Sequence, residues 1–291
     1  MKPHLGIILS SFLLIITSVQ SKENPICNDT NEQCIETGKL NLSVSVGLGL
    51  RTNPLFQSDN IPLIVLPEIS YYADNFFIEN LDIGYTLYDS AISSLNLIAT
   101  PSYDSVFFNR WDPGNLLIDI ASVTTEVNIG FDSEIDTDPI QINPNELSSR
   151  KFSYLAGLEY SYQFRNSLLQ ISLLADITNI HSGKEARFAY AYSFNQSVST
   201  TLGFTWKDQN LTNYYYGVDP NEVADVRAVY HANSSINPFI RISFRPHSNQ
   251  ETGSWRFSFE LQKLDKQISN SPVVKDDYII TFYAGKTFKF E

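Results

Sequence analysis

Apolar and polar residues alternate with a period of two along most of this chain. In KLNLSVSVGLGL, Leu40, Leu42, Val44, Val46, Leu48 and Leu50 share one face, and Asn41, Ser43, Ser45, Gly47 and Gly49 share the other. KFSYLAGLEYSYQF sets Phe152, Tyr154, Ala156, Leu158, Tyr160, Tyr162 and Phe164 against Ser153, Leu155, Gly157, Glu159, Ser161 and Gln163. The rhythm continues through LLQISLLADI, RFAYAYSF, TTLGFTW and SWRFSFEL. Period two sends successive side chains to opposite faces of a sheet, so these stretches read as strands with one apolar and one small or polar face.

A soluble sandwich also alternates. Three details select a membrane barrel. Several predicted strands run to about 10–14 residues, longer than the roughly 5–6 of globular sheets. Tyr, Phe and Trp recur at the ends of the apolar faces, as in an interfacial girdle. The opposite faces are Gly, Ser, Asn, Gln, Glu and Asp, which suits a wet lumen. The fold class read from the sequence is therefore all-β, a membrane-spanning antiparallel barrel.

Strands are predicted at about 40–50, 62–72, 76–88, 94–103, 116–130, 151–164, 167–178, 186–194, 198–207, 236–245, 254–263 and 277–290. That makes about twelve, or ten if the stretch 116–130 is not a strand. With the N-terminus on the periplasmic side, turns at 73–75, 104–115, 165–166, 195–197 and 246–253 face the periplasm. Loops at 51–61, 89–93, 131–150, 179–185, 208–235 and 264–276 face outward, so most short connections fall on one side. Pro67, Pro101 and Pro238 fall in or beside strands, which predicts strand ends or bulges there. The final strand, YIITFYAGKTFKFE, is read as the seam that pairs with the first. Its even face, with Phe282, Phe288 and Phe290, would meet lipid, and Thr281, Gly285 and Thr287 would line the lumen.

Composition sharpens this picture. Charged residues are only 18% of the 291, and 19 Phe and 16 Tyr stand beside a single Met, a balance that favours strands over helices. Mean hydropathy is −0.15, and no stretch after the N-terminus approaches the 18 or so consecutive apolar residues of a spanning helix. The N-terminus, MKPHLGIILSSFLLIITSVQSK, has Lys2 ahead of an apolar core and a small-residue region. It reads as a signal peptide, residues 1–21, cleaved after Ser21. Residues 22–38 would form a periplasmic segment and 39–291 the barrel. The only cysteines, Cys27 and Cys34, are expected to form a disulfide in an oxidising compartment. The net charge of −12 argues against nucleic acid as a partner.

Catalytic chemistry finds little support. The histidines His4, His181, His231 and His247 are scattered, with no HExxH or other metal spacing and no GxSxG turn. A Ser–His triad assembles across a fold, so spacing alone leaves it open. Asp276–Asp277 reads as a solvated acidic loop rather than an acid–base dyad. No cofactor or metal is implied. Glu159, Asp176 and Glu260 would face the lumen, either biasing a pore toward cations or pairing with lumenal Arg or Lys such as Arg256.

Two short elements carry a family resemblance. Tyr214-Tyr215-Tyr216-Gly217-Val218 and, before the closing strand, Ser271-Pro272-Val273-Val274 resemble the YYFGV-like and SPIV-like elements of the MipA/OmpV family. The order VGLGL, Pro62, Pro67 and YYADNFFIENLDIGY is also similar to that family, so the resemblance spans about Leu40 to Phe290. The connection RTNPLFQSDN lacks the family's Tyr-x-Gly-Ser type of element. The resemblance implies a Gram-negative outer-membrane protein without enzymatic activity, embedded in outer-membrane lipid and inserted by the barrel-assembly machinery. It further implies a scaffold that joins a murein lytic transglycosylase to a bifunctional penicillin-binding synthase. Other members resemble adhesins or porin-like proteins. On this reading the docking surface is the periplasmic turns together with the Cys27–Cys34 segment.

Overall fold

Long runs of β-branched and aromatic residues with strict alternation leave the backbone one economical solution in lipid, a sheet closed on itself. In the computed structural model the chain forms that closed sheet. The structure describes residues 37–109, 112–116, 140–246 and 253–290. The signal peptide and both cysteines lie outside the described residues, as does the stretch 117–130 of the predicted fifth strand.

Twelve strands close an antiparallel barrel in which each pairs with its sequence neighbours. They are β1 Leu40–Arg51, β2 Ile61–Tyr72, β3 Phe76–Glu79, β4 Asp82–Asp89, β5 Ser93–Pro101 and β6 Tyr154–Phe164. They continue as β7 Ser167–Asp176, β8 Lys184–Ser193, β9 Val198–Lys207, β10 Ser235–Phe244, β11 Ser254–Lys263 and β12 Tyr278–Phe290. The seam joins β1 to β12 from Leu42↔Phe290 to Arg51↔Thr281. On β12, Ile279, Thr281, Tyr283, Gly285 and Thr287 are buried, while Phe282, Phe288 and Phe290 are exposed outward.

The even number has a different composition from the one expected. β5 pairs directly with β6, Ser93↔Tyr162 to Pro101↔Tyr154, so the barrel closes without a strand at 116–130. The predicted strand at 76–88 is instead two, β3 and β4, broken by a turn at Asn80, whose φ is 54°. Asn tolerates that left-handed conformation. Its side chain also accepts from Ile69 N and its own N–H donates to Ile69 O. Inserting one hairpin and losing one strand swaps two connections. The stretch 90–92 joins the side of the chain ends with 73–75, 165–166, 194–197 and 245–253. The stretch 102–153 joins the opposite side with 52–60, 177–183, 208–234 and 264–277. Every connection of up to about four residues, except the β3–β4 turn, now lies at one end.

The prolines follow the ladder. Pro101 ends β5. Pro62 and Pro67 lie in the part of β2 that pairs with β1 only, since β3 reaches no further than Ser70. Pro238 pairs with Phe204 of β9, one residue before the β10–β11 ladder begins. Each missing N–H thus falls where the strand has a neighbour on a single side.

Outside, Leu48, Leu87, Leu97, Leu158, Leu173, Tyr190, Leu202 and Trp255 are exposed. This is the apolar surface a lipid-embedded barrel presents. No helix among the described residues is long and apolar enough to cross a membrane.

Candidate functional site

The described parts of the long connections pack into the mouth of the barrel. Two short helical turns, α1 Ser105–Phe108 and α2 Pro113–Leu116, follow β5. Helix α3, Gln209–Tyr216, follows β9 and the turn α4, Lys266–Ser269, follows β11. Asp208 caps α3 by accepting from Leu211 N at 3.0 Å. Leu211, Thr212, Tyr215 and Tyr216 form its buried stripe, the spacing of one helical face. Leu55, Ile142, Leu155, Val218, Ile268, Val273 and Val274 complete a core at this end.

The two family-like elements meet here. Ser271 Oγ donates to Tyr216 O at 2.6 Å, and Gly217 N donates to Asn213 O at 2.8 Å, ending α3. Val218 bridges to Tyr230 and Val274 to Leu55. Pro272 O accepts from Ile142 N and Val273 O from Phe56 N. Tyr214, the outermost of the three tyrosines, accepts from Lys151 N at 2.8 Å and lies under Arg150. The motif residues therefore tie four connections, those after β1, β5, β9 and β11, into one plug.

Beneath the plug sits a buried charge cluster. Lys207 Nζ lies 2.6 Å from both carboxylate oxygens of Asp104, and Tyr216 donates to Asp104 Oδ1 at 2.6 Å. Burial pushes the Tyr216 hydroxyl well above its ordinary value and the Asp104 charge pushes it further, so it remains a donor. On the outer side Arg150 grips Glu222 with both terminal nitrogens, at 2.8 and 3.1 Å, and donates to Gly217 O at 2.9 Å. Burial alone would raise the Glu222 carboxyl, but hydrogen bonds from Arg150 and from the Asp219 and Ser148 N–H groups prevail and hold it down at about 2.

Ser153, His181 and Asp176 come together in the order of a hydrolase triad, with Ser153 Oγ 3.0 Å from His181 Nε2 and His181 Nδ1 3.8 Å from Asp176 Oδ2. The protons are in the wrong places. Gly183 N donates to Nδ1 at 2.9 Å, so the proton sits on Nε2 and is donated to Ser153. A nucleophilic serine needs the reverse. Burial keeps His181 neutral against the pull of Asp176. Asp176 is occupied by N–H donors from Thr178, His181 and Ser182, and Ser153 is fully buried. The group staples a loop. Asp276 and Asp277 are exposed, with Lys275 3.7 Å from Asp276.

The lumen below holds a cavity of about 520 Å³. Glu260 pairs with Arg241 at 2.6 Å, not with Arg256, whose partner is Glu68. Arg187 pairs with Glu185 at 2.5 Å. Glu159 accepts from Ser172 Oγ at 3.0 Å. Sequence reasoning found Glu159 and Glu260 by alternation but missed Asp104, Lys207 and Arg51. Asp104 lay in a stretch assigned to a periplasmic turn, Lys207 ended a predicted strand and Arg51 opened a predicted loop.

The chain is similar to several known proteins. The family model described as MltA-interacting protein MipA matches residues 46–290. The "MltA-interacting protein" of Escherichia coli K12 is 25% identical over 260 residues, covering 87% of this chain and 91% of that protein. The "Putative outer membrane protein YiaT" of the same organism is 22% identical over 253 residues, covering 86% and 91%. Among solved structures, a NanC porin aligns with a TM-score of 0.41 at 10% identity, over 86% of this chain and 100% of that one.

Proposed function

We propose, since the chain belongs to the MltA-interacting protein MipA family, that it is a non-catalytic outer-membrane scaffold for enzymes of cell-wall turnover. The carrying observation is the packed plug. One mouth of the barrel is filled by a core that includes Leu211, Tyr215, Tyr216 and Val273, all fully buried, an arrangement suited to a platform more than to an open conduit. The opposite rim carries the short turns at 73–75, 90–92, 165–166 and 194–197 with the β10–β11 connection, beside the start of β1 and the end of β12. In bacterial barrels the short turns face the periplasm, where a murein lytic transglycosylase and a penicillin-binding synthase would meet it. The segment 22–38, with a Cys27–Cys34 disulfide, would add to that surface.

Photo-crosslinking residues placed at Asn166 and Gln196 on the short-turn rim, and at Asn221 on the plug side, test this in intact envelopes. Crosslinks to murein hydrolases or synthases from Asn166 or Gln196 alone support the scaffold. Their absence there, under conditions that capture other envelope partners, removes it. A second reading, a narrow channel for small solutes, is favoured by the charged lumenal cavity. Planar bilayers showing no conductance steps would dismiss it.

A further inference from the structure

The charges of the barrel wall are sorted by strand. The six strands β2 to β7 contain no Lys or Arg, and Glu68, Glu79, Asp82 and Glu159 lie along them. The cations Arg51, Arg187, Lys207, Arg241 and Arg256 all come from β8 to β12 and β1. Because the sheet is closed in sequence order, this linear sorting becomes a transverse one: an arc that holds all the cations, together with Glu185 and Glu260, faces an arc whose charges are all anionic. Low-dielectric walls focus such a field on whatever occupies the space between them.

Most of these charges are already neutralised. Arg187 is held by Glu185, Arg241 by Glu260, Lys207 by Asp104 and Arg256 by Glu68. Arg51 and Glu159, which both line the cavity, stand in no ion pair among the described residues. Arg51 makes one long contact, Nε to Thr281 Oγ1 at 3.4 Å; the nearby Glu260 attracts it only from beyond ion-pair distance and is itself held by Arg241. Glu159 accepts from Ser172. Arg51 on β1 and Glu159 on β6 are five strands apart one way round the ring and seven the other, so they stand on nearly opposite walls. A half-buried charge left without a counter-charge is costly, and a ligand that brings the missing charge recovers that cost.

We propose that this cavity binds a small peptide-like zwitterion, with Arg51 receiving its carboxylate and Glu159 its ammonium group. About 520 Å³ is within the usual range for small-molecule sites. Phe77 and Phe239, which also line the cavity, provide apolar surface for the body of such a ligand. A simple anion would satisfy Arg51 but face Glu159, and a simple cation would do the reverse. Only a ligand with both ends completes both walls. The site is independent of the scaffold surface on the short-turn rim, so either can fail without the other.

The test is isothermal titration of the purified barrel in detergent near neutral pH with tri-alanine, N-acetyl-tri-alanine and tri-alanine amide. Tri-alanine should bind, and each blocked peptide should bind roughly tenfold more weakly or worse, the loss expected when one charge-assisted contact goes. Arg51→Gln should weaken tri-alanine and the N-acetyl form while leaving the amide unchanged; Glu159→Gln should weaken tri-alanine and the amide while leaving the N-acetyl form unchanged. Neither variant strips another residue of an ion-pair partner, and the blocked-peptide series on the unmodified protein stands without them. Absence of binding by all three peptides overturns the proposal. So does equal binding by free and blocked forms, or wild-type affinity in both variants.

Discussion

Tyr216 donates a 2.6 Å hydrogen bond to Asp104 across 112 positions of sequence, and the same carboxylate binds Lys207 from β9. One side chain thus links the segment after β5, the barrel wall and α3. Tyr216 is fully buried and Asp104 nearly so. Tyr216→Phe removes a bond to a charged acceptor and should cost about 1.5–3 kcal/mol. Asp104→Ala strands the Lys207 ammonium and should cost about 3–5 kcal/mol. Urea unfolding followed by heat-modifiable gel mobility would rank them, with Asp104→Ala the weaker protein. Equal midpoints for the wild type and both variants would show that the cluster does not hold the plug.

Acid should loosen the outer side of the plug. The Glu222 carboxyl is held at about 2, below its unfolded value near 4.5, so its contribution is complete above the unfolded value. That contribution is lost as pH falls from there through about 2. The thermal midpoint of the wild type should therefore drop between about pH 5 and pH 2, beyond the general effect of acid. Glu222→Gln should start lower at neutral pH and show a shallower acid limb. Parallel acid limbs in the two proteins would contradict the assignment.

The seam depends on two glycines that face one another. Gly47 pairs with Gly285, and a Cβ at Gly47 would lie 2.2 Å from Ala284 O, a backbone atom with no rotamer to relieve it. Gly47→Val should force β1 and β12 apart and reduce the folded, heat-modifiable fraction strongly. Ser45→Ala, two residues away on the same face, loses only the 2.6 Å contact with Thr287. It should cost about 0.5–1.5 kcal/mol and still close. A Gly47→Val barrel that folds as well as Ser45→Ala would place the seam elsewhere.

What the alternation made legible was the wall. Period two survives along most of the wall because each strand has lipid on one side and lumen on the other, with breaks where bulges shift the β1–β2 and β4–β5 registers, so β1, β6 to β9, β11 and β12 could be read within a few residues. Where the pattern misled, a local signal had been outweighed. Asn80, between Glu79 and Asp82, marks a turn, yet the apolar residues on both sides suggested one continuous strand. That error, with the strand expected at 116–130, also put the connections 89–93 and 104–115 at the wrong ends. The element YYYGV is mostly helical in α3, and Asp208 with Leu211, Tyr215 and Tyr216 at helical spacing carried that information. The meeting of Asp104 with Lys207 had no local signal, since nothing in either neighbourhood encodes a contact 103 positions away.

Lipid exposure of the outer face gives the most direct check on the wall itself. Leu173 is 62% exposed and lies within β7, paired with Leu158 on one side and Ala186 on the other, so no polar group next to it can screen a charge. Leu173→Arg should destabilise the barrel by about 2–4 kcal/mol in a bilayer, the cost of arginine near the midplane. The lumen-facing neighbour Gln170 meets water, so Gln170→Arg on the same strand should cost much less. Reversible unfolding in lipid vesicles of matched thickness measures both. If Gln170→Arg proved the more damaging, the inside and outside of β7 would have to be exchanged. The alternation along the rest of the wall would then be reversed with it.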